Sequence, residues 1–191
     1  TPKGETVLDF GQNLIGRLRF LVKGKEGDSL KFYHAEVLDK DGNFYTGNLR
    51  SAKQQIIYYL KGTETESYEP VFTFQGFRYV RVDGNKELIN TDNIEAVVIH
   101  SDMPKTGKFE TSNELLNQLQ HNILWGQKSN FLDIPTDCPQ RDERLGWTGD
   151  AEVFFKTAAF NMDVSSFFVK WMADLRAEQL ENGGVPGVIP N

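Results

Sequence analysis

Ile94-Glu95-Ala96-Val97-Val98-Ile99-His100, then Met103-Pro104, then Thr111-Ser112-Asn113-Glu114-Leu115-Leu116 is the stretch across which the apolar pattern of this chain changes period. Up to about residue 102, apolar residues recur at every second position, the spacing of half-buried antiparallel strands. Beyond Pro104 they recur every three or four, the spacing of one helix face. The switch divides the 191 residues into a β part, 1–103, and a helical part, 104–191. A chain of that length allows two domains without requiring them.

Working back from the switch, the run 94–100 is nearly continuous and reads as a central strand covered on both faces. Arg17-Leu18-Arg19-Phe20-Leu21-Val22 puts Leu18, Phe20 and Val22 on one face, and a Gly-rich turn at 23–28 leads into the alternating run 30–34. Asp39-Lys40-Asp41-Gly42 marks another turn, and further β-rich runs occupy 55–60 and 77–82. With no helical stretch between them, an antiparallel β-sandwich is the expected packing.

Working forward, Thr111-Ser112-Asn113-Glu114 fits a capping box, with Leu115, Leu116, Leu119 and Ile123 as one apolar stripe. A second helix is expected from about Asp150, carrying Val153, Phe154, Thr157 and Ala158. A third is expected from Asp163 as N-cap, with Phe167, Phe168, Trp171, Met172 and Leu175 on its apolar face and Asn182-Gly183-Gly184 as its stop. Short connections favour antiparallel hairpins of the kind that build bundles and α/α barrels. A small helical appendage to a sandwich is the alternative.

The composition narrows the function. A hydrophobic fraction of 39%, aromatics at 12% and a mixed-sign charged quarter describe a globular protein with material for real cores. A net charge of −6 without a basic run argues against nucleic acid, whose binding draws on clustered Lys and Arg. No stretch of 18 apolar residues suggests a membrane span. Thr1-Pro2-Lys3-Gly4 has neither an initiator Met nor the layout of a signal peptide, so the chain reads as excised from something longer, and its compartment is undetermined. One cysteine, Cys138, and three scattered histidines suggest neither a disulfide nor a metal site, and no cofactor is expected.

The chemistry concentrates at 131–150. Two prolines and two glycines make this segment a loop, and loops of that length in compact domains tend to be functional. It holds Asp133, Asp137, Asp142, Glu143 and Asp150, two arginines and Trp147. Carboxylates bind hydroxyls and move protons, and an indole face stacks on a pyranose, so the composition suits a sugar site. On spacing alone a solvated, charge-balanced loop is equally open, with Arg141 and Arg144 paired to nearby acids, Asp150 capping the next helix and Trp147 plugging a core. A calcium site is disfavoured, because the acids do not follow a calcium-loop spacing. Cys138 reads as a small buried filler, with no histidine near it in sequence to activate a nucleophile.

Asp137-Cys138-Pro139-Gln140-Arg141-Asp142-Glu143-Arg144-Leu145-Gly146-Trp147-Thr148-Gly149-Asp150 resembles the signature of bacterial α-L-rhamnosidases of glycoside hydrolase family 78. The resemblance extends upstream to Asp9-Phe10-Gly11-Gln12-Asn13, His34-Ala35-Glu36-Val37-Leu38, Asn48-Leu49-Arg50 and Phe74-Gln75-Gly76-Phe77-Arg78-Tyr79-Val80, which look like that family's concanavalin-like or jelly-roll β-domain. It implies residues 1–103 as β-sandwich and 104–191 as the truncated start of an (α/α)6 six-hairpin barrel. The implied activity is removal of terminal α-L-rhamnose from an oligosaccharide or glycoside, with inversion and without a metal. By position in the motif Glu143 matches the general acid, Asp137 and Asp150 match acids that bind rhamnose hydroxyls, and Trp147 matches an aromatic of the sugar pocket. Arg141 and Asp142 carry over only as neighbours. The family's general base is a glutamate far downstream, so the chain is expected to lack it and to be inactive alone.

Set against this is a non-catalytic carbohydrate-binding or structural β-sandwich module with a helical extension. His34, Glu36 and Arg50 read as a hairpin's polar face or a contact to the barrel rather than as sugar ligands. Trp125, Trp171 and the Phe pairs at 154–155 and 167–168 read as helix packing. Several of them must face barrel helices absent from this chain, so it is expected to expose apolar surface and associate, a homodimer being one form, unless the rest of the parent barrel covers it.

Overall fold

The computed structural model describes residues 1–62 and 64–191. Contacts divide them into two compact units: residues 1–99 with 140–142, and residues 100–139 with 143–191.

The first unit holds six strands: β1 (Val7–Val22), β2 (Ser29–Ala35), β3 (Gln55–Tyr59), β4 (Glu66–Tyr68), β5 (Gln75–Gly84) and β6 (Ile94–Val98). All pairings are antiparallel, as the alternation implies, and join the strands into one curled sheet in the order β3-β2-β5-β1-β4, with β6 also on β1. Phe20 faces both Tyr68 and Ile94, and Gly16 faces both Gln75 and Val98, so β6 takes one edge of β1 while β5 and β4 share the other. The period of two survives in the packing. Leu18, Phe20 and Val22 are at most 2% exposed, whereas Leu21 between them is half exposed. Leu30, Phe32, Phe77 and Val80 complete a closed core, each such side chain contributing about 1.5–3 kcal/mol by its burial.

β6 corrects one expectation. It is not central: it pairs with β1 alone, Ile94 is buried and Val98 is exposed. A short, largely apolar run does not distinguish one covered face from two.

The helical unit holds α1 (Glu114–Asn130), a tight hairpin of β7 (Phe131–Leu132) and β8 (Ile134–Pro135), α2 (Thr148–Asn161) and α3 (Ser165–Glu178). α1 is capped by Asn113, whose side chain accepts the Leu115 N–H at 3.0 Å. Thr111, the expected cap, instead donates its hydroxyl to the Asn113 carbonyl. α2 starts two residues before Asp150, and the N-cap position of α3 falls to Val164 rather than to the expected Asp163, which lies one residue ahead and accepts the Ser165 N–H at 3.0 Å. α3 stops at Glu178, ahead of the expected Asn182-Gly183-Gly184, although Gly183 does take a positive φ of 81°.

The core of this unit gathers Phe131, Ala151, Ala158, Met162, Phe167, Phe168 and Trp171 with Ile189. Phe131 stacks on Phe167 at 4.6 Å, and Trp171 Nε1 donates to the Ile189 carbonyl at 3.1 Å. Outside that core, Leu115, Leu116 and Leu119 of α1, Val153 and Phe155 of α2 and Val169 and Met172 of α3 are exposed. Among the described residues no helix is long and apolar enough to cross a membrane.

Candidate active site

The loop from β7 to α2 is shaped by a few backbone devices. Asp133 turns the β7–β8 hairpin at a φ of 68°. The Asp137 N–H donates to the Leu145 carbonyl, and the Leu145 N–H donates to Asp137 Oδ1 at 3.0 Å, which closes the loop at its two ends. Gly146 must be glycine, since a Cβ there would lie 2.1 Å from the Ile189 carbonyl oxygen. That close approach lets Ile189 N donate to the Gly146 carbonyl and seats Trp147 opposite Val188.

Within the helical unit the loop brings four of the six expected residues into one neighbourhood. Glu143 is half-buried, and its Oε1 accepts from Trp147 Nε1 at 3.1 Å. Ligating atoms of Asp137, Cys138 and Glu143 all lie within 4.8 Å of one another. Asp150 sits exposed in the first turn of α2, where the helix dipole favours a negative charge. Asp137 and Asp150 share the wall of a cavity of about 600 Å³, together with Gln127, Asn130, Thr136 and Phe154. That volume falls in the range of small-molecule sites. Glu143 and Trp147 do not line this cavity among the described residues.

Arg141 and Asp142 are placed differently, because both belong to the β unit. Asp142 Oδ2 accepts from the backbone N–H and the hydroxyl of Ser51, and the hydroxyl bond above all holds its carboxyl below the usual aspartate range. Burial raises the Glu36 carboxyl above the usual glutamate range, opposed in part by an Asn13 hydrogen bond and by the charge of Arg141. Glu36 therefore serves the polar interior of its own unit, and so does His34: fully buried, its Nδ1 lies 2.8 Å from the Gln54 carbonyl and burial pushes its pKa down to about 4.

Sequence reasoning missed Gln127 and Asn130, which line the cavity and whose i, i+3 spacing puts two amides on one side of the last turns of α1; the helix is rich in Asn and Gln throughout, so nothing in the sequence singled these two out. Cys138 is buried, as a filler would be. Two carboxylates and a thiol form a mixed donor set that suits neither calcium, which takes about six to eight oxygens, nor a soft ion.

Clustered carboxylates with an indole donating into them, close to a cavity of monosaccharide scale, are the equipment of a carbohydrate-active protein. Residues 104–191 match the model of the bacterial alpha-L-rhamnosidase 6 hairpin glycosidase domain, and residues 1–100 match that of the bacterial alpha-L-rhamnosidase concanavalin-like domain. An alpha-L-rhamnosidase of Streptomyces avermitilis is 50% identical over 190 residues, covering 99% of this chain and 18% of the relative. The solved structure of Streptomyces avermitilis alpha-L-rhamnosidase complexed with L-rhamnose superposes with a TM-score of 0.92 at 47% identity, over 99% of this chain and 18% of that one. The alpha-L-rhamnosidase of Aspergillus terreus gives a TM-score of 0.94 at 49% identity, over 99% and 22%. The chain belongs to the bacterial α-L-rhamnosidase family, and it spans about a fifth of the length of the relatives it matches.

Proposed function

We propose that this chain supplies the general-acid side of an inverting α-L-rhamnosidase acting on terminal rhamnose of a glycoside or oligosaccharide. Glu143 protonates the leaving oxygen, Asp137 and Asp150 bind sugar hydroxyls, and Trp147 holds the Glu143 carboxylate while offering a face to the ring. The observation that carries the reading is the Glu143 cluster: the Trp147 Nε1 bond at 3.1 Å and the Asp137 carboxylate within 4.8 Å. Arg141 and Asp142 steady the motif from the β unit.

Inversion needs a second carboxylate roughly 6.5–9.5 Å from the acid, leaving room for water. Asp137 is too close to Glu143 for that task, which supports a hydroxyl-binding role for it and a general base supplied from outside these residues. The same closeness keeps one second reading open: a retaining enzyme with Asp137 as nucleophile, for which the separation should be about 5–5.5 Å.

In the full-length protein, Glu143→Gln is expected to slow release from an alkyl rhamnoside, whose leaving oxygen must be protonated, about 10²- to 10⁴-fold, the usual contribution of a positioned proton donor. The first-formed sugar should appear by NMR with inverted configuration, and the 191-residue chain alone should release nothing. Full activity in Glu143→Gln would remove the acid assignment. Retention at the anomeric carbon would select Asp137 as nucleophile. A full-length protein that binds rhamnosides without turnover would point instead to a carbohydrate-binding module.

A further inference from the structure

Among the described residues, four that are not glycine are held at positive φ: Arg50 at 55°, Gln54 at 46°, Asp133 at 68° and Arg144 at 54°. Two bracket the loop 50–54 of the β unit, while Asp133 precedes the signature run and Arg144 lies within it. A left-handed residue with a Cβ is strained and persists only where its surroundings over-determine it.

The surroundings of loop 50–54 are explicit. Within the β unit it grips residues 140–142 at two points: Ser51 donates its N–H and hydroxyl to Asp142 Oδ2, and Gln54 Nε2 donates to the Gln140 carbonyl. Gly76, at the start of β5, comes so close that a Cβ there would meet the Gln140 Cβ at 2.9 Å and its Cα at 3.1 Å. Gln54 is itself fixed from behind, its carbonyl accepting the His34 N–H at 3.0 Å and lying 2.8 Å from His34 Nδ1.

Stability alone does not account for this arrangement. Gln54 and Gln140 are more than nine-tenths buried, and the Oε1 atom of each has no hydrogen-bond partner among the described residues. Together with the positive φ at residues 50 and 54, they mark a site shaped for placement. What is placed is the run of three residues immediately preceding Glu143 in the chain.

We propose that Gln54 and Ser51 are positioning residues for the reaction: by holding Gln140 and Asp142 they fix the backbone from which Glu143 projects. The inference rests on the general-acid role proposed above for Glu143. A displacement of the donor by about 1 Å is enough to cost up to 10²-fold in rate.

The test compares two rhamnosides in the full-length protein. An alkyl rhamnoside needs its leaving oxygen protonated, whereas a nitrophenyl rhamnoside leaves with little help. Gln54→Asn keeps a residue tolerant of the left-handed region but falls one methylene short of Gln140. It is expected to lower kcat on the alkyl substrate about tenfold or more, to leave KM within about twofold, and to spare the nitrophenyl substrate. Ser51→Ala should show the same split at about threefold, with Ser51→Thr restoring the rate. Equal losses on both substrates, or none, with Glu143→Gln still slow on the alkyl rhamnoside, would overturn the positioning role. A Glu143→Gln variant at full rate on the alkyl substrate would overturn the acid reading beneath it. Ser51→Ala, made in an exposed pair, decides the matter alone should Gln54→Asn not fold.

Discussion

The β unit seals the inward face of its strands into a closed core, while the helical unit leaves the apolar side chains along three helices largely uncovered. Leu18, Phe20, Leu30, Phe32 and Phe77 are all but inaccessible inside the curled sheet. In the helical unit Leu115 is 80% exposed, Val153 84% and Val169 72%, while α1 buries Gln127 and Ser129 in their place. The inward face of the sheet is thus complete, although Ile57, Tyr59, Val71 and Phe72 stay exposed outside it. The helices are amphipathic toward something besides one another, as hairpins of a larger barrel would be.

Three predictions press on that contrast. The largest effect belongs to the sheet: Phe77→Ala removes a fully buried ring touching Phe10 and His34 and is expected to cost about 3–5 kcal/mol in chemical denaturation. Leu115→Ala should stay within about 0.5 kcal/mol in this chain. Equal costs at the two positions would break the comparison.

Next comes acid. Burial of His34 lowers its pKa from the ordinary 6.5 to about 4. Between those values the unfolded chain binds the proton and the folded chain does not, so stability falls as pH drops from about 6.5 to about 4. With about 1.4 kcal/mol for each tenfold in proton affinity, the loss approaches roughly 3 kcal/mol. His34→Gln should flatten the pH dependence of melting in that window; an unchanged slope would mean that His34 is not the group responsible.

The smallest effect on folding belongs to the bare helix faces, where the consequence is association. Val153→Glu with Val169→Glu is expected to shift the chain toward monomer in light scattering while moving its melting temperature by only a degree or two, since surface changes usually stay within about 0.5 kcal/mol. A wild-type chain that is monodisperse and monomeric at high concentration would show that those faces are harmless as they stand.

Local chemistry accounts for what was legible in the sequence. Period two in 17–22 and 30–34, the polar and glycine-rich turns, and the run from Asp137 to Asp150 are each written in adjacent residues, and each corresponds to the elements found. Pairing partners are not local. The edge position of β6 depends on β4 and β5 occupying the other side of β1, which the run 94–100 does not encode. The cap of α1 turned on whether Thr111 or Asn113 reached the first turn, a choice between neighbours with similar oxygens. Least legible was the division of the signature itself, since Gln140 and Asp142 are held by residues some ninety positions earlier in the sequence.

The most direct test of Glu143 as proton donor is the dependence of its loss on leaving-group basicity. Across a series of aryl and alkyl rhamnosides, the rate ratio of full-length wild type to Glu143→Gln is expected to climb from near one for the most acidic phenol to about 10³ for an alcohol, because only a poor leaving group needs its oxygen protonated. A ratio that stayed flat across the series would contradict the account and leave residue 143 as a binding or structural carboxylate.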